Sequence, residues 1–202
     1  MKSFLVTAKH HDGFALWPSQ ASEYDVADAT PFGRDILAEL AAARKKYDIT
    51  LGFYYSHWQD WEHEGGARPP ADVFHSIPPP VPVTDEQFEK YWQEKCIPQV
   101  NELMVYEPAF WWFDTWRNPE VLTDDRVDEL IKTVKDIDPT CLVNSRIVMT
   151  RPGIAEKVDY ISMMDNTFPD QSNTQAWETM GTMSLDRGDT TRRITTGSRP
   201  GT

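Results

Sequence analysis

Short apolar runs alternate with longer amphipathic stretches along this chain of 202 residues. The runs are rich in aromatic and β-branched residues, as is typical of strands that are buried on both faces. Strands that alternate with helices predict a parallel sheet with right-handed crossovers. The predicted strands are residues 4–9, 50–56, 109–114, 141–146 and 159–164.

The stretches between these runs predict helices. The first has apolar residues on one side and basic residues near its C-terminal end, which suits the helix dipole. The second opens with a capping box formed by Thr84 and Gln87. The helices are predicted over residues 36–47, 84–104 and 127–136.

Two stretches depart from this alternation. Residues 63–83 carry Gly and Pro pairs and a Pro triplet, and they follow an aromatic run at 54–61, so we expect a long loop that covers a site. Residues 184–202 are polar and lack an apolar period, so they are predicted to be disordered or adventitious. The folded domain is therefore predicted over residues 1–183.

The composition limits the classes of partner. The formal net charge is −12, which argues against nucleic acid and against an anionic membrane surface, because both attract Lys and Arg. Hydrophobic residues make up 40% of the chain, which is enough for one sizeable core. A neutral substrate fits this balance best.

Cysteines and apolar stretches add further limits. Cys96 and Cys141 lie in no metal or redox spacing, so they are predicted to be buried thiols. No stretch approaches the roughly 18 apolar residues of a membrane span, and the N-terminus lacks the pattern of a secretory signal. No motif sets the oligomeric state or the cellular location.

Every predicted strand ends in polar or aromatic side chains. If the strands are parallel, these groups meet at one edge of the sheet, where ligands bind in α/β folds. Aromatic faces combined with a few polar groups suit a sugar ring, and two of the carboxyls could form the pair that glycoside hydrolysis uses. The converging residues include His10, His11, Tyr54, Trp112, Asp114, Arg146 and Asp165.

Alternation along the strands separates candidate site residues from core residues. Tyr54 and Trp112 are predicted to share one side of the sheet with Asp114. Tyr55 and Trp111 point the other way, so we expect them to pack against the helices.

Each candidate also has a structural interpretation. Residues His10 and His11 could be ordinary hydrogen-bonding groups at a strand end, and Asp114 could cap a helix. Arg146 could serve only in a structural ion pair, and Asp165 could cap a turn. Spacing alone leaves these alternatives open.

The order of several motifs adds to this picture. The segment LVTAKHHDGFALWPS at residues 5–19 is followed by GFYYSHWQDW, FWWFD, LVNSR, DYISMMDN and WETM. In this order the motifs resemble the α-L-fucosidases of glycoside hydrolase family 29, over roughly residues 3–183. The resemblance implies an α/β fold, a (β/α)8-like barrel with parallel strands.

The resemblance also implies roles for the carboxylate and histidines. Asp114 matches the catalytic nucleophile, which forms a covalent fucosyl-enzyme. The pair His10 and His11 matches histidines that hydrogen-bond fucose hydroxyls. These matches outweigh the structural interpretations of the three residues.

Three further positions match residues near the nucleophile. Tyr54 matches a strand-end tyrosine beside it, and Trp112 matches a residue that lines the sugar pocket. Arg146 matches an arginine close to the active-site carboxylates, where its charge would help to keep Asp114 ionised.

Two carboxyls compete for the role of general acid and base. Asp165 is preferred, because a strand end holds a side chain rigidly enough to lie about 5–5.5 Å from Asp114. The apolar neighbours Met163 and Met164 are expected to favour its protonated form. Glu178 is the alternative, and we expect it to lie in a later loop.

The implied reaction is retaining hydrolysis of terminal α-L-fucose from glycans or glycoconjugates, with no metal or organic cofactor.

The resemblance further implies an incomplete barrel that lacks the first strands and the C-terminal part. Because open sheet edges expose unpaired backbone groups, we expect a poorly stable chain with little or no activity. The alternatives are a catalytically inactive carbohydrate-binding fragment, a glycosidase for another sugar, and a nonfunctional fragment.

Overall fold

The fold is centred on a parallel sheet of four strands that lie in chain order. A computed structural model describes residues 2–68, 83–115, 120–148, 151–169 and 174–181. The predicted α/β class with parallel strands is confirmed. The predicted tail at 184–202 and most of the predicted loop at 63–83 lie outside the described residues. The strands are β1 (Ser3–Lys9), β2 (Thr50–Tyr55), β3 (Phe110–Phe113) and β4 (Leu142–Val143).

Side-chain caps set where the main helices begin. The Thr84 hydroxyl accepts from the Gln87 amide while the Gln87 side chain accepts from the Thr84 amide, so the predicted capping box is present. Asp35 and Thr123 cap two other helices in a similar way. None of the helices in the described ranges is long and apolar enough to cross a membrane. The helices are α1 (Ile36–Tyr47), α2 (Asp85–Tyr91), α3 (Ile97–Met104), α4 (Asp124–Ile137) and α5 (Ile154–Lys157).

The predicted single helix over 84–104 is wrong in one respect. A π-helical turn, Trp92–Cys96, separates α2 from α3. The turn adds a residue to the usual helical period and turns three of its side chains inward: Trp92, Lys95 and Cys96 are all buried. A simple apolar period of 3.6 residues does not reveal such an insertion.

The predicted fifth strand does not extend the main sheet. Only Ile161–Ser162 (β5) is a strand, and it pairs in parallel with Trp177–Glu178 (β6), which was not predicted. The predicted strand 141–146 stops at Val143, because Ser145–Ile147 form a 3₁₀ turn. An isolated parallel bridge between Asn144 and Tyr160 links the two sheets.

The core lies between the main sheet and the helices. Tyr55 and Trp111 are fully buried there, as the strand alternation predicts, and the Trp111 ring stacks on Phe113 at 5.1 Å. Buried aromatic side chains remove about 150–250 Å² each from water, so they supply much of the packing energy. The two cysteines, Cys96 and Cys141, are buried thiols as predicted.

A buried cluster of charges ties the loop after β2 to the end of β1. Lys9 donates to the Asp60 carboxylate at 2.8 Å and to the Tyr91 hydroxyl at 3.0 Å. Lys95 from the π-helical turn lies 3.0 Å from the same carboxylate and 2.7 Å from Glu62. Burial lowers the pKa of Lys9, although the Asp60 charge opposes this shift. The cluster therefore fixes residues 56–67 against the carboxyl end of β1.

Candidate active site

Asp114 directly follows β3, and hydrogen bonds hold the residues on either side of it in the chain, Phe113 and Thr115. The Asn144 side chain accepts from the Phe113 amide at 3.0 Å and donates to the Phe113 carbonyl at 3.1 Å. On the other side, the amide and hydroxyl of Thr115 donate to the Arg146 carbonyl at 2.8 and 2.7 Å. These contacts fix the backbone that carries the carboxylate.

The Asp114 carboxylate lies among three of the predicted partners. Tyr54 donates to Oδ2 at 2.7 Å, and Arg146 donates to Oδ1 from Nε at 3.1 Å and from Nη2 at 2.7 Å. The Nε2 atom of His11 lies 3.6 Å from Oδ2. The carboxylate side chain is only 10% exposed, so the guanidinium compensates a charge that has lost most of its water.

Burial sets the protonation states of two of these partners. It raises the pKa of the Tyr54 phenol, and the neighbouring Asp114 carboxylate raises it further, so the phenol keeps its proton and donates it. Burial also lowers the pKa of His11 to about 3, and the nearby His10 and Lys9 act in the same direction. His11 is therefore neutral near pH 7.

Flat side chains form a row across the carboxyl ends of the strands. The His10 ring stacks on Tyr54 at 5.1 Å, and Tyr54 stacks on Trp112 at 5.3 Å. The row is regular because Tyr54 and Trp112 are paired in the register of β2 and β3. The Arg146 guanidinium completes it, 4.5 Å from the centre of the Trp112 ring. The predicted convergence of these strand ends is present in the structure.

Asp165 reaches the same cluster through Arg146. Its carboxylate accepts from Arg146 Nη1 at 2.6 Å, so one guanidinium joins Asp165 and Asp114. The expected apolar surroundings from Met163 and Met164 are wrong, because the Asp165 side chain is 67% exposed and forms this ion pair. The short β5 ends at Ser162, which leaves Asp165 in a turn at the surface.

Glu178 also faces this cluster. The expectation that it lies in a loop is wrong, because it is part of β6, where it pairs with Ser162 in the register. Its carboxylate accepts from the Trp112 indole and, at 2.6 Å, from the Ser162 hydroxyl. Both candidate acids therefore lie near the row of flat side chains. Asp165 lies in a turn and contacts Arg146, whereas Glu178 lies on β6.

Sequence reasoning assigned no supporting role to three polar residues of the site. Asn144 braces β3, as described above, and Ser56 and Gln59 contact the His11 ring, which also lies beside the Trp61 ring at the rim of the site. All three lie inside the motifs LVNSR and GFYYSHWQDW, so their signal was present. These contacts join residues that are far apart in the chain, so no local sequence pattern reveals them.

The sequence profile of the family "Alpha-L-fucosidase" matches residues 1–190. The chain belongs to this family. Among curated members, alpha-L-fucosidase 1 of Arabidopsis thaliana is 47% identical over 60 residues, which are 29% of this chain and 12% of that protein. The plasma alpha-L-fucosidase of Homo sapiens is 34% identical over 116 residues, or 56% of this chain and 22% of that protein.

Solved fucosidase structures share the fold. The alpha-L-fucosidase of Vibrio sp. strain EJY3 has a TM-score of 0.72 at 33% identity, covering 90% of this chain and 31% of that one. The enzyme AlfC of Lactobacillus casei, solved with its product alpha-L-fucose, has a TM-score of 0.68 at 32% identity. That match covers 82% of this chain and 50% of AlfC. The chain therefore spans half or less of the length of these fucosidases.

Proposed function

We propose that this chain carries the catalytic centre of a retaining α-L-fucosidase that releases terminal α-L-fucose from glycans or glycoconjugates. The observation that carries the proposal is the Asp114 carboxylate, braced at the end of β3 between Tyr54 and Arg146 with His11 alongside. A nearly buried carboxylate held beside a row of aromatic faces suits attack on a sugar ring.

The proposed reaction has two displacements. The Asp114 carboxylate attacks the anomeric carbon while the glycosidic C–O bond breaks, and the acid donates its proton to the leaving oxygen. The same acid, now a base, then takes a proton from a water molecule that attacks the fucosyl-enzyme and releases fucose. Arg146 and Tyr54 orient the carboxylate through their hydrogen bonds.

We assign the acid and base role to Asp165, with Glu178 as the alternative. Asp165 is exposed towards solvent, where a leaving group and a water molecule have access, and Arg146 links it to Asp114. Glu178 is engaged by the Trp112 indole and the Ser162 hydroxyl, so it suits a supporting role. A (β/α)8-like barrel, with residues 1–183 as part of its catalytic domain, is the architecture that we propose for this site.

The proposed substrate follows from the charge and from the solved relatives. The chain is acidic, which favours a neutral glycan over a phosphorylated one. The Lactobacillus casei enzyme has been solved with Fuca(1,6)GlcNAc. Terminal fucose on an oligosaccharide is therefore the first ligand to test.

Covalent trapping tests the nucleophile. Although we expect little turnover from this chain, trapping needs only one attack, so incubation with a 2-fluorofucosyl trapping reagent should add one 2-fluorofucosyl group to the chain. Peptide mapping should locate this group on Asp114. The Asp114→Asn variant is the matched control and should stay unlabelled. Labelling elsewhere, or none despite measurable binding of L-fucose, would contradict the proposal and favour a carbohydrate-binding protein.

Leaving-group dependence tests the acid. Removal of the true acid slows hydrolysis of natural fucosides far more than that of activated aryl fucosides, because only poor leaving groups need protonation. We expect this pattern, with rescue by azide, for Asp165→Ala. If Glu178→Ala shows it instead, the alternative assignment is correct.

A further inference from the structure

At the Nδ1 atom of the His11 ring, only one assignment of hydrogen-bond donor and acceptor is possible. The ring nitrogen lies 2.7 Å from the Ser56 hydroxyl oxygen. That hydroxyl has one proton and donates it to the Gln59 carbonyl at 2.8 Å, which can only accept. The Ser56 oxygen must therefore accept from His11, and the proton of the neutral ring lies on Nδ1.

The Nε2 side is fixed by a second chain of contacts. The Trp61 indole can only donate, and it donates to the Gln59 Oε1 atom at 3.2 Å. This contact turns the amide nitrogen of Gln59 towards His11 Nε2, at 3.4 Å. An amide nitrogen also only donates, so Nε2 must be the acceptor.

We propose that Ser56 and Gln59 are positioning residues that hold His11 in the Nδ1–H tautomer, so that its bare Nε2 accepts a hydrogen bond from a sugar hydroxyl beside Asp114. The last part of this statement rests on the proposed function, whereas the tautomer depends only on the contacts of the ring. Both residues act through His11.

The tautomer matters for the Asp114 carboxylate as well. His11 Nε2 lies 3.6 Å from Asp114 Oδ2, which already accepts from the Tyr54 hydroxyl. In the Nδ1–H form no N–H faces this oxygen, and both atoms are acceptors. Nε2 has one lone pair, which takes the long 3.4 Å contact from Gln59, so a sugar hydroxyl that enters beside Asp114 would donate to Nε2 in place of Gln59.

Further hydrogen bonds fix the loop that carries Ser56 and Gln59 to the end of β1. The Trp61 amide donates to the His11 carbonyl at 2.8 Å, and the Ser56 amide donates to the Lys9 carbonyl at 3.0 Å. Between them, Asp60 is fully buried in its contacts with Lys9 and Lys95. The loop and the end of β1 therefore form one unit around the ring.

The tautomer can be measured without any activity. We expect long-range ¹H–¹⁵N correlation spectra of the ¹⁵N-labelled chain at pH 7 to show a protonated Nδ1 and a bare Nε2 for His11. The resonance is assigned by its loss in the His11→Asn variant. A wild-type ring protonated on Nε2 would overturn the inference.

Two variants test the positioning residues. Ser56→Ala removes the acceptor at Nδ1, and Gln59→Glu replaces the donor at Nε2 with a carboxylate oxygen, so the double variant should make the Nε2–H form the major one. Ser56→Thr keeps the hydroxyl and should keep the Nδ1–H form. Ser19→Ala is the matched control, because this buried hydroxyl contacts Gln99 instead. An unchanged tautomer in the folded double variant would overturn the inference.

Titration with L-fucose separates this inference from the proposed function. Loss of the bare Nε2 should weaken L-fucose binding about tenfold in the variant that combines Ser56→Ala with Gln59→Glu, the typical effect of one hydrogen bond to a buried acceptor. If the tautomer changes as expected but the wild-type chain binds no L-fucose, the positioning role is supported and the proposed function fails. Unchanged L-fucose affinity after a change of tautomer would overturn the hydroxyl contact.

Discussion

At the scale of single residues, the candidate site depends on groups whose chemistry is set by their neighbours. Asp114 accepts from the Arg146 guanidinium, and Tyr54 keeps its proton beside Asp114. Asn144 has no place in the chemistry, yet it bonds the backbone on which Asp114 stands.

Replacing Asn144 should loosen the support of Asp114. Asn144→Ala leaves the amide and carbonyl of Phe113 without these partners in a buried position, so we expect the free energy of unfolding to fall by about 1–3 kcal/mol. The rate of fucosyl labelling at Asp114 should fall with it. Urea denaturation measures the first effect. The control, Asn101→Ala, removes only an exposed contact with Ile97 and should change stability by less than about 0.5 kcal/mol; equal losses would contradict the role of Asn144.

The buried His11 should make stability depend on pH. Its pKa is about 3 in the folded chain and near the ordinary 6.5 in the unfolded chain, so between these values the unfolded chain binds more protons. Stability should therefore fall as the pH drops from 6.5 towards 3, by up to about 1.4 kcal/mol per pH unit from this group.

The His11→Asn variant checks this effect by urea denaturation at several pH values. The variant should lose that part of the slope, while His57, whose pKa burial lowers to about 4, still contributes its own part. An identical slope in the wild type and the variant would show that His11 is not buried as a neutral ring.

At the scale of elements, local signals in the sequence set where the helices begin and which way the strand residues point. The capping box at Thr84 and the alternation that buries Trp111 are examples. The interruption between α2 and α3 has no such local signal. The interruption places Lys95 3.0 Å from the carboxylate of Asp60, which lies in the loop after β2.

Removing the cap of α2 should weaken the molecule measurably. Thr84→Ala loses the contact with the Gln87 amide, so we expect about 1 kcal/mol less stability in urea denaturation. Thr84→Ser keeps a hydroxyl at the same position and should retain most of the stability. Equal losses in both variants would mean that the hydroxyl cap does not stabilise α2.

At the scale of the whole molecule, parallel order gathers residues that are far apart in the chain. Tyr54 and Asp114 are 60 positions apart, and Lys9 and Asp60 are 51 apart. The same order also brings together the buried charge cluster of Lys9, Asp60 and Lys95. The chain spans half or less of its solved relatives.

The buried cluster should be costly to break. Asp60→Ala leaves Lys9 and Lys95 buried without their shared carboxylate, so we expect a loss of about 3–5 kcal/mol in the free energy of unfolding. Asp128→Ala breaks only an exposed pair with Lys157 and should cost no more than about 1 kcal/mol. Chemical denaturation compares the two variants, and a loss below 1 kcal/mol for Asp60→Ala would contradict the importance of the cluster.

The sequence by itself determined the parallel α/β class, the helix caps, the side of the sheet on which Tyr54 and Trp112 lie, and the family. Local hydrophobic periods and short motifs predict these properties, so distant contacts need not be known. Only the tertiary structure decided that Glu178 lies on a strand and that Asp165 is exposed beside Arg146.

The same division explains the surroundings of His11. Its motif is visible in the sequence, but its tautomer depends on Ser56 and Gln59, which lie 45 and 48 positions away. Hydrogen-bond direction follows from which donors and acceptors meet in space, and burial removes the water that would otherwise satisfy either tautomer. Such pairings arise only when the strands are assembled.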